Sequence, residues 1–368
     1  MKNSGVLIGG QKISEHNPVY VIAEGGVNHN GDLDLAIQLV EMAHEIGADA
    51  VKFQTYKPEQ VCIDDAGMVE YQVKNIGKKM SQREMIKAFE LPENFYPPIM
   101  KRCKELGITF FSAPHGGKES ARFLMELGVP AFKVGSGDLT NYPLLYQLAQ
   151  FHLPIILSTG MAFMNEVSSA VQYLEKYGAD QLVILHCTTN YPCPENEVNM
   201  AAMTTMMKKL SYPVGYSDHT ESSLAAQLST LLGQSMYEFH ITLDRSLPGP
   251  DQKASADLPQ ANERMRYIRL FEKMSKTERQ KLAKQPKYRE VMGWSEKKPN
   301  QSEMKFLEVR RSLVFTKKLT AGHLITEDDL EAKRPAGGIS PIEWENFLGK
   351  TLKTSVKLDQ QLRPDMFV

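Results

Sequence analysis

The 368-residue chain has four cysteines, Cys62, Cys103, Cys187 and Cys193, and no two of them form a CxxC pair. That scarcity excludes a disulfide framework and fits a reducing cytoplasm. Excess charge of one sign is also missing, since 43 Lys and Arg stand against 44 Asp and Glu for a formal net charge of −1. So even a balance leaves no global electrostatic footprint for nucleic acid or an anionic membrane. No apolar run is long enough to cross a bilayer, and the opening MKNSGVLIGGQKIS lacks the apolar region of a signal peptide. A cytoplasmic protein is therefore expected. No G-x-G-x-x-G follows the first apolar run, which argues against a doubly wound dinucleotide-binding sheet. HCTTNYPC, residues 186–193, sets a histidine near two cysteines, but its spacing matches no common zinc site. Cys187 is expected to pack as a small buried residue.

A hydrophobic content of 42% with 24% charged residues is ordinary for a globular protein with a sizeable core. Short β-branched and aromatic runs alternate with stretches of helical period. The runs cover 19–25, 50–56, 108–112, 131–135, 154–158, 182–187, 213–215 and 236–239. One connection, 57–93, is much longer and rich in charge, Met and Gly; it reads as an extended loop with one or two helices. The other spacings are those of a (β/α) unit, and eight units predict a (β/α)8 TIM barrel. The barrel is assigned to residues 1–285, a linker to 286–304, and a small β-rich domain with Gly and Pro turns to 305–368.

In such barrels catalytic groups lie at the C-terminal strand ends. Each predicted strand here ends in polar chemistry: Glu24; Lys52 with Gln54; Ser112; Lys133 with Ser136; Ser158; His186 with Thr189; Ser217 with His219; and His240. One such end means little, but eight describe a pocket. Lys52, Lys133, Ser112, Ser136, Ser158 and Ser217 supply the cations and hydroxyls that a phosphorylated substrate requires. GSGD (135–138) and STGM (158–161) add glycines where backbone can approach an anion. His219 and His240 end consecutive strands, so their imidazoles can meet and hold a borderline divalent ion. Taken alone, the pair reads more readily as two unrelated strand-end histidines. Glu24 and Asp251 are the acids placed for proton transfer or for sugar hydroxyls, whereas Asp32 and Asp257 read as helix caps and His29 as a turn residue. Arg334, before Pro335 in the small domain, could recognise a carbonyl oxygen, although composition alone makes it a surface arginine. A lysine on a barrel strand also allows a Schiff-base aldolase through Lys52 or Lys133. A degenerate barrel whose small domain only binds carbohydrate is a further alternative.

AEGGVNHNGD, VKFQTYK, FFSAPH, FKVGSGDLTNYPLL, PIILSTGM, LHCTTNYPCP, GYSDHT, HITLDRSLPGPD and KRPAGGI together resemble the sialic acid synthase family. The resemblance runs from about residue 18 to the C-terminus. It implies a (β/α)8 barrel followed by an antifreeze-like SAF domain. The implied reaction condenses phosphoenolpyruvate with an N-acyl amino sugar, N-acetylmannosamine or a bacterial diacetamido-trideoxyhexose, to a nine-carbon 2-keto acid. The implied assembly is a domain-swapped homodimer in which Arg334 reaches the partner's sugar acyl group. By the same resemblance, His219 and His240 hold Mn2+ or Mg2+, which polarises the sugar aldehyde. Lys52, Lys133, Ser136, Ser158, Ser217 and Ser112 match phosphoenolpyruvate-binding positions. Gln54, Tyr191 and Asp251 match groups around the sugar, and Glu24 a carboxylate at the reacting centre. Asp138 stands where many members carry Glu, and Thr189 where some carry Asn. EFHITLD and ASADLP also depart from the commoner forms. The HCTTNYPCP and GDLTN forms resemble the bacterial legionaminic or pseudaminic acid branches, or spore-coat sugar synthases, more than the animal enzymes.

Overall fold

The first elements in the chain are two strands too short to give a period-two signal in the sequence. β1 (Val6–Ile8) and β2 (Gln11–Ile13) pair antiparallel across Gly9 and Gly10. Both glycines have positive φ, 56° and 84°, as a two-residue hairpin turn requires. A Cβ at Gly9 would lie 2.5 Å from Thr109 Oγ1, at the start of a barrel strand, so the hairpin packs beneath the barrel floor. Val6, Ile8 and Ile13 are fully buried there.

The computed structural model describes residues 5–64, 66–67, 73 and 80–368. Its centre is one eight-stranded parallel sheet: β3 (Tyr20–Gly26), β4 (Ala50–Thr55), β5 (Thr109–Pro114), β6 (Phe132–Val134), β7 (Ile155–Ser158), β8 (Leu182–Cys187), β9 (Val214–Asp218) and β10 (Met236–His240). The strands follow in the order β5-β4-β3-β10-β9-β8-β7-β6, with β5 and β6 side by side at the closing seam. The expected (β/α)8 barrel is therefore present. β7 and β8 are buried at every position, as strands covered on both faces by helices and barrel interior must be.

The helices begin where the sequence offers caps. Asp32 accepts from the Leu35 amide at the start of α1 (Leu33–Glu45), whose Ala36, Leu39, Val40 and Ala43 face the core. Asp257 accepts from the Gln260 amide at the start of the helix Leu258–Phe271. Within 57–93, short helices cover Pro58–Val61 and Gln82–Ala88. The remainder of that predicted loop-and-helix excursion includes 65, 68–72 and 74–79, which lie outside the described residues.

Residues 286–304, expected as a linker, are laid against the barrel. Tyr288, Val291, Lys297, Asn300 and Glu303 are all buried. Glu303 Oε1 accepts from the amides of Met161 and Thr189 at 2.8 and 2.7 Å, tying the loops after β7 and β8 together. The small domain pairs β11 (Ser312–Phe315) with β12 (Leu330–Lys333) around Leu313, Phe315, Trp344 and Phe367. It docks on the barrel of its own chain. Trp344 Nε1 donates to Tyr173 Oη at 2.8 Å, and Tyr173 and Tyr177 each donate to Glu345 at 2.7 Å. The Arg334 amide donates to Val61 O at 2.9 Å, locking the small domain to the end of the 58–61 helix.

Candidate active site

Side chains alternate across a strand, and that alternation decides which predicted residues reach the barrel mouth. On β4, Lys52 and Gln54 face the cavity while Phe53 and Thr55 face the helix layer. β5 pairs Phe53 with Ser112, which places Ser112 outward with it. Ser112 is fully buried and accepts a hydrogen bond from Thr55 Oγ1 at 2.7 Å, away from the mouth. Parity therefore removes Ser112 from the expected phosphate cluster. Asp138 also stands back from the cavity lining. Glu24, Lys52, Gln54, Lys133, Ser136, Ser158, Thr189, Tyr191, Ser217, His219, His240, Asp251 and Arg334 all line one cavity.

The floor of that cavity is a buried charge cluster. Lys52 Nζ lies 2.5 Å from Glu24 Oε2 and 3.8 Å from Glu238 Oε2. Lys133 Nζ lies 3.3 Å from Glu238 Oε1 and donates to Ser158 Oγ at 2.7 Å. Ser217 Oγ donates to Glu238 at 3.1 Å. Burial raises the Glu24 pKa to about 7 despite Lys52, with Glu238 adding to the rise. For Glu238, burial acts in the same direction, but Lys133 and Lys52 prevail and hold it down at about 2. Near neutral pH the two lysines thus face one firmly ionised carboxylate and one that is partly protonated. The residual positive charge, with three serine hydroxyls around it, suits an anion.

Small residues keep that space open. A Cβ at Gly160 would collide with Thr189 Oγ1 and lie 2.8 Å from Ser136 Oγ, so this turn requires glycine. The Gly160 amide donates to Ser136 Oγ at 2.9 Å.

The two histidines meet above the cluster with ring centroids 5.5 Å apart, and the Tyr191 ring lies 4.1 Å from that of His219. His219 Nδ1 donates to Thr188 O at 2.7 Å; against burial, Cys187 together with that carbonyl raises the pKa to about 9, so near neutral pH Nε2 carries a proton that a metal would have to displace. His240 Nδ1 is buried without a hydrogen-bond partner. Burial, with His219 and Lys52 nearby, pushes the His240 pKa well down and keeps the ring neutral. With the His219 proton displaced, the two imidazoles, one of them with an orphaned nitrogen, would fit a divalent ion whose other ligands are water or substrate oxygens. Among the described residues no group of three or more His, Cys, Asp or Glu is arranged to hold a metal.

The model of the NeuB family matches residues 39–280, and that of the SAF domain matches residues 310–368. The chain belongs to the NeuB family. It is 39% identical to the N,N'-diacetyllegionaminic acid synthase of Campylobacter jejuni over 93% of this chain and 98% of that one. Identity to the protein of the same name from Legionella pneumophila is 40%, covering 92% of this chain and 91% of that one. The crystal structure of the spore coat polysaccharide biosynthesis protein SpsE of Bacillus subtilis superposes with a TM-score of 0.81, at 26% identity and 99% coverage of both chains. The family assignment drawn from the motifs, and the barrel followed by a SAF domain, hold.

Sequence reading passed over several residues of this NeuB-family site. Glu238 lies two positions before His240 on β10, so its inward orientation follows from that of the histidine. His115, just past β5, lines the cavity and hydrogen-bonds Asp138. Glu303 and Arg311 act from segments that sequence alone does not fold back onto the barrel. Cys187 is 1% exposed, as expected, and also borders the cavity.

Proposed function

We propose that this enzyme joins phosphoenolpyruvate to an N-acyl amino sugar, giving a nine-carbon 2-keto acid and phosphate. A diacetamido-trideoxyhexose is the preferred sugar, because the relatives at 39% and 40% identity are named as legionaminic acid synthases. The observation that carries the reading is the juxtaposition of an anion-binding cluster and a paired-imidazole site in one cavity. Lys52 and Lys133, with Ser136, Ser158 and Ser217, hold the phosphoryl group and stabilise it as it leaves. Gln54, Thr189, Tyr191 and Asp251 position the sugar, and Arg334 donates to its acyl oxygen. A divalent ion, Mn2+ or Mg2+, on His219 and His240 would supply Lewis-acid polarisation of the sugar aldehyde.

In the reaction, C3 of phosphoenolpyruvate bonds to the aldehyde carbon, whose oxygen takes up a proton. Water adds at C2, and phosphate departs with cleavage of its bond to C2. Glu24, with a pKa near 7, can carry a proton at this centre in either direction at neutral pH. We further propose a cytoplasmic homodimer in which small domains are exchanged, so that the contacts made here within one chain form between two. The test is phosphate release with divalent metal, phosphoenolpyruvate and a panel of N-acyl hexosamines. Folded, metal-loaded protein that releases phosphate with none of them rules the reading out.

A further inference from the structure

The cavity contains a histidine that the reaction above leaves without a task. His115 lines it, with Nδ1 3.1 Å from Asp138 Oδ2. Asp138 is fully engaged on the side away from the cavity. Arg311 Nε lies 2.5 Å from Oδ1, Arg311 Nη2 donates to Oδ2 at 3.2 Å, and Asn141 Nδ2 donates to Oδ1 at 2.9 Å. Burial would raise the Asp138 pKa, but Arg311 and His115 hold the carboxyl well below the usual range. An ionised carboxylate only accepts, so the shared proton belongs to His115 Nδ1. Burial, reinforced by Arg334 and Lys52 against Asp138, lowers the imidazole pKa and keeps the ring neutral. Nε2 therefore carries a lone pair. The side chain is 18% exposed, and the space it meets is the cavity it lines. A hydrogen-bond acceptor is thus held in a fixed orientation at the barrel mouth.

Its surroundings indicate what it accepts from. A Cβ at Gly135 would lie 2.7 Å from His115 Cε1, and one at Gly137 would lie 4.0 Å from Arg334 Nη2. The acceptor and the guanidinium therefore stand over the two glycines of a single turn, 135–137. Val61, Met85, Ile86 and Phe89 also line the cavity. A donor and an acceptor over one turn, in a cavity also lined by apolar side chains, complement a secondary amide, with its C=O, its N–H and its alkyl group.

We propose that His115 is a specificity-determining residue that accepts the N–H of a sugar acylamino group while Arg334 meets the carbonyl of that group. The inference rests on the synthase reading for the identity of the sugar. Asp138 is then a positioning residue that fixes the imidazole tautomer. A sugar lacking the N–H leaves a desolvated lone pair unmatched, and this is how the site rejects it.

The experiment compares wild type, His115→Phe and His115→Gln by phosphate release at varied sugar and phosphoenolpyruvate. Two sugars are used, an N-acetyl hexosamine and the hexose carrying an O-acetyl ester at the same carbon. Sugar binding is measured in parallel by calorimetry. His115→Phe is expected to weaken the amide sugar about tenfold while phosphoenolpyruvate KM stays within about twofold. The ester should be equally poor with both proteins, and His115→Gln, whose amide oxygen can accept, should recover most of the loss. An amide-to-ester preference unchanged in His115→Phe, or an equal rise in both KM values, overturns the proposal. If wild type binds the amide sugar in a His115-dependent way yet releases no phosphate, the synthase reading fails and the assignment of His115 stands.

Discussion

Glu238 Oε1 lies 3.3 Å from Lys133 Nζ on the cavity floor, where both side chains are almost completely buried. Glu238 also faces Lys52, so a single carboxylate serves two buried ammonium groups. Removing one partner of a buried pair costs about 3–5 kcal/mol, because the remaining charge is left uncompensated. Glu238→Gln should therefore lower the melting temperature of the substrate-free protein by several degrees. A bound anion would restore the lost negative charge. Millimolar phosphate should then stabilise Glu238→Gln more than it stabilises wild type. Equal phosphate shifts in calorimetric melts would show that the anion does not sit against Lys133.

Lys133 has one property of a Schiff-base nucleophile, since burial lowers its pKa despite Glu238. Its geometry points elsewhere: the ammonium donates to Ser158 and is paired with Glu238, which favours the charged form. Borohydride reduction in the presence of both substrates should leave the mass of the chain unchanged. Chelation by EDTA should abolish turnover, and Mn2+ should restore it in wild type but not in His240→Ala. A reduced lysine adduct, or full activity after metal removal, would favour the aldolase alternative.

The barrel was legible because its signal is local. Each strand is a short apolar run with a polar end, and β8 spans Leu182–Cys187, the bounds read from sequence. The hairpin at Val6–Ile8 escaped notice because three residues cannot establish a period. Most of the site was legible for the same reason as the barrel. Ser112 fell away because counting strand ends does not fix parity, and its register partner Phe53 faces the helix layer. Glu303, Arg311 and His115 were passed over because their roles depend on where distant segments come to rest. Arg311 meets Asp138 across 173 residues of chain, a separation that no periodicity encodes.

Asp251 ties function to stability. Burial raises its pKa from 3.8 to about 6, with His219 opposing, so its ionised form is disfavoured in the folded protein. A group whose pKa rises on folding stabilises fully below its unfolded value, and that contribution fades as pH climbs through the folded value. Wild type should therefore lose stability between about pH 4 and pH 7 from this group. Asp251→Asn removes the titration. Without metal or substrate, the variant should melt above wild type at pH 8 and converge with it near pH 4. Phosphate release should fall in the same variant. A stability difference independent of pH would mean that Asp251 is not desolvated.

The small domain carries Arg334 to the cavity of its own chain in this structure, whereas the family resemblance implies delivery to a partner. The two arrangements share every contact between domains, because a swapped dimer exchanges identical surfaces. They differ only in the path of the segment between barrel and lid. That segment is anchored at Glu303, which holds the Met161 and Thr189 amides, and at Arg311, which holds Asp138. Exchange therefore has to pass between these anchors or carry them across as well. Subunit complementation distinguishes the arrangements. His240→Ala removes from the barrel one of the two imidazoles proposed to hold the metal, and Arg334→Ala removes a group from the lid. Each homogeneous variant should be nearly inactive. In a swapped mixed dimer, the intact barrel of the Arg334→Ala chain is covered by the intact lid of the His240→Ala chain, giving one complete site. Unfolding and refolding the two variants together should then yield about a quarter of wild-type activity: random pairing makes half of the dimers mixed, each with one working site of two. With lids retained in cis, every site in the mixture lacks one of the two groups, and activity stays at the level of the separate variants. Verified mixed dimers without recovered activity would establish Arg334 as a residue of its own chain's site.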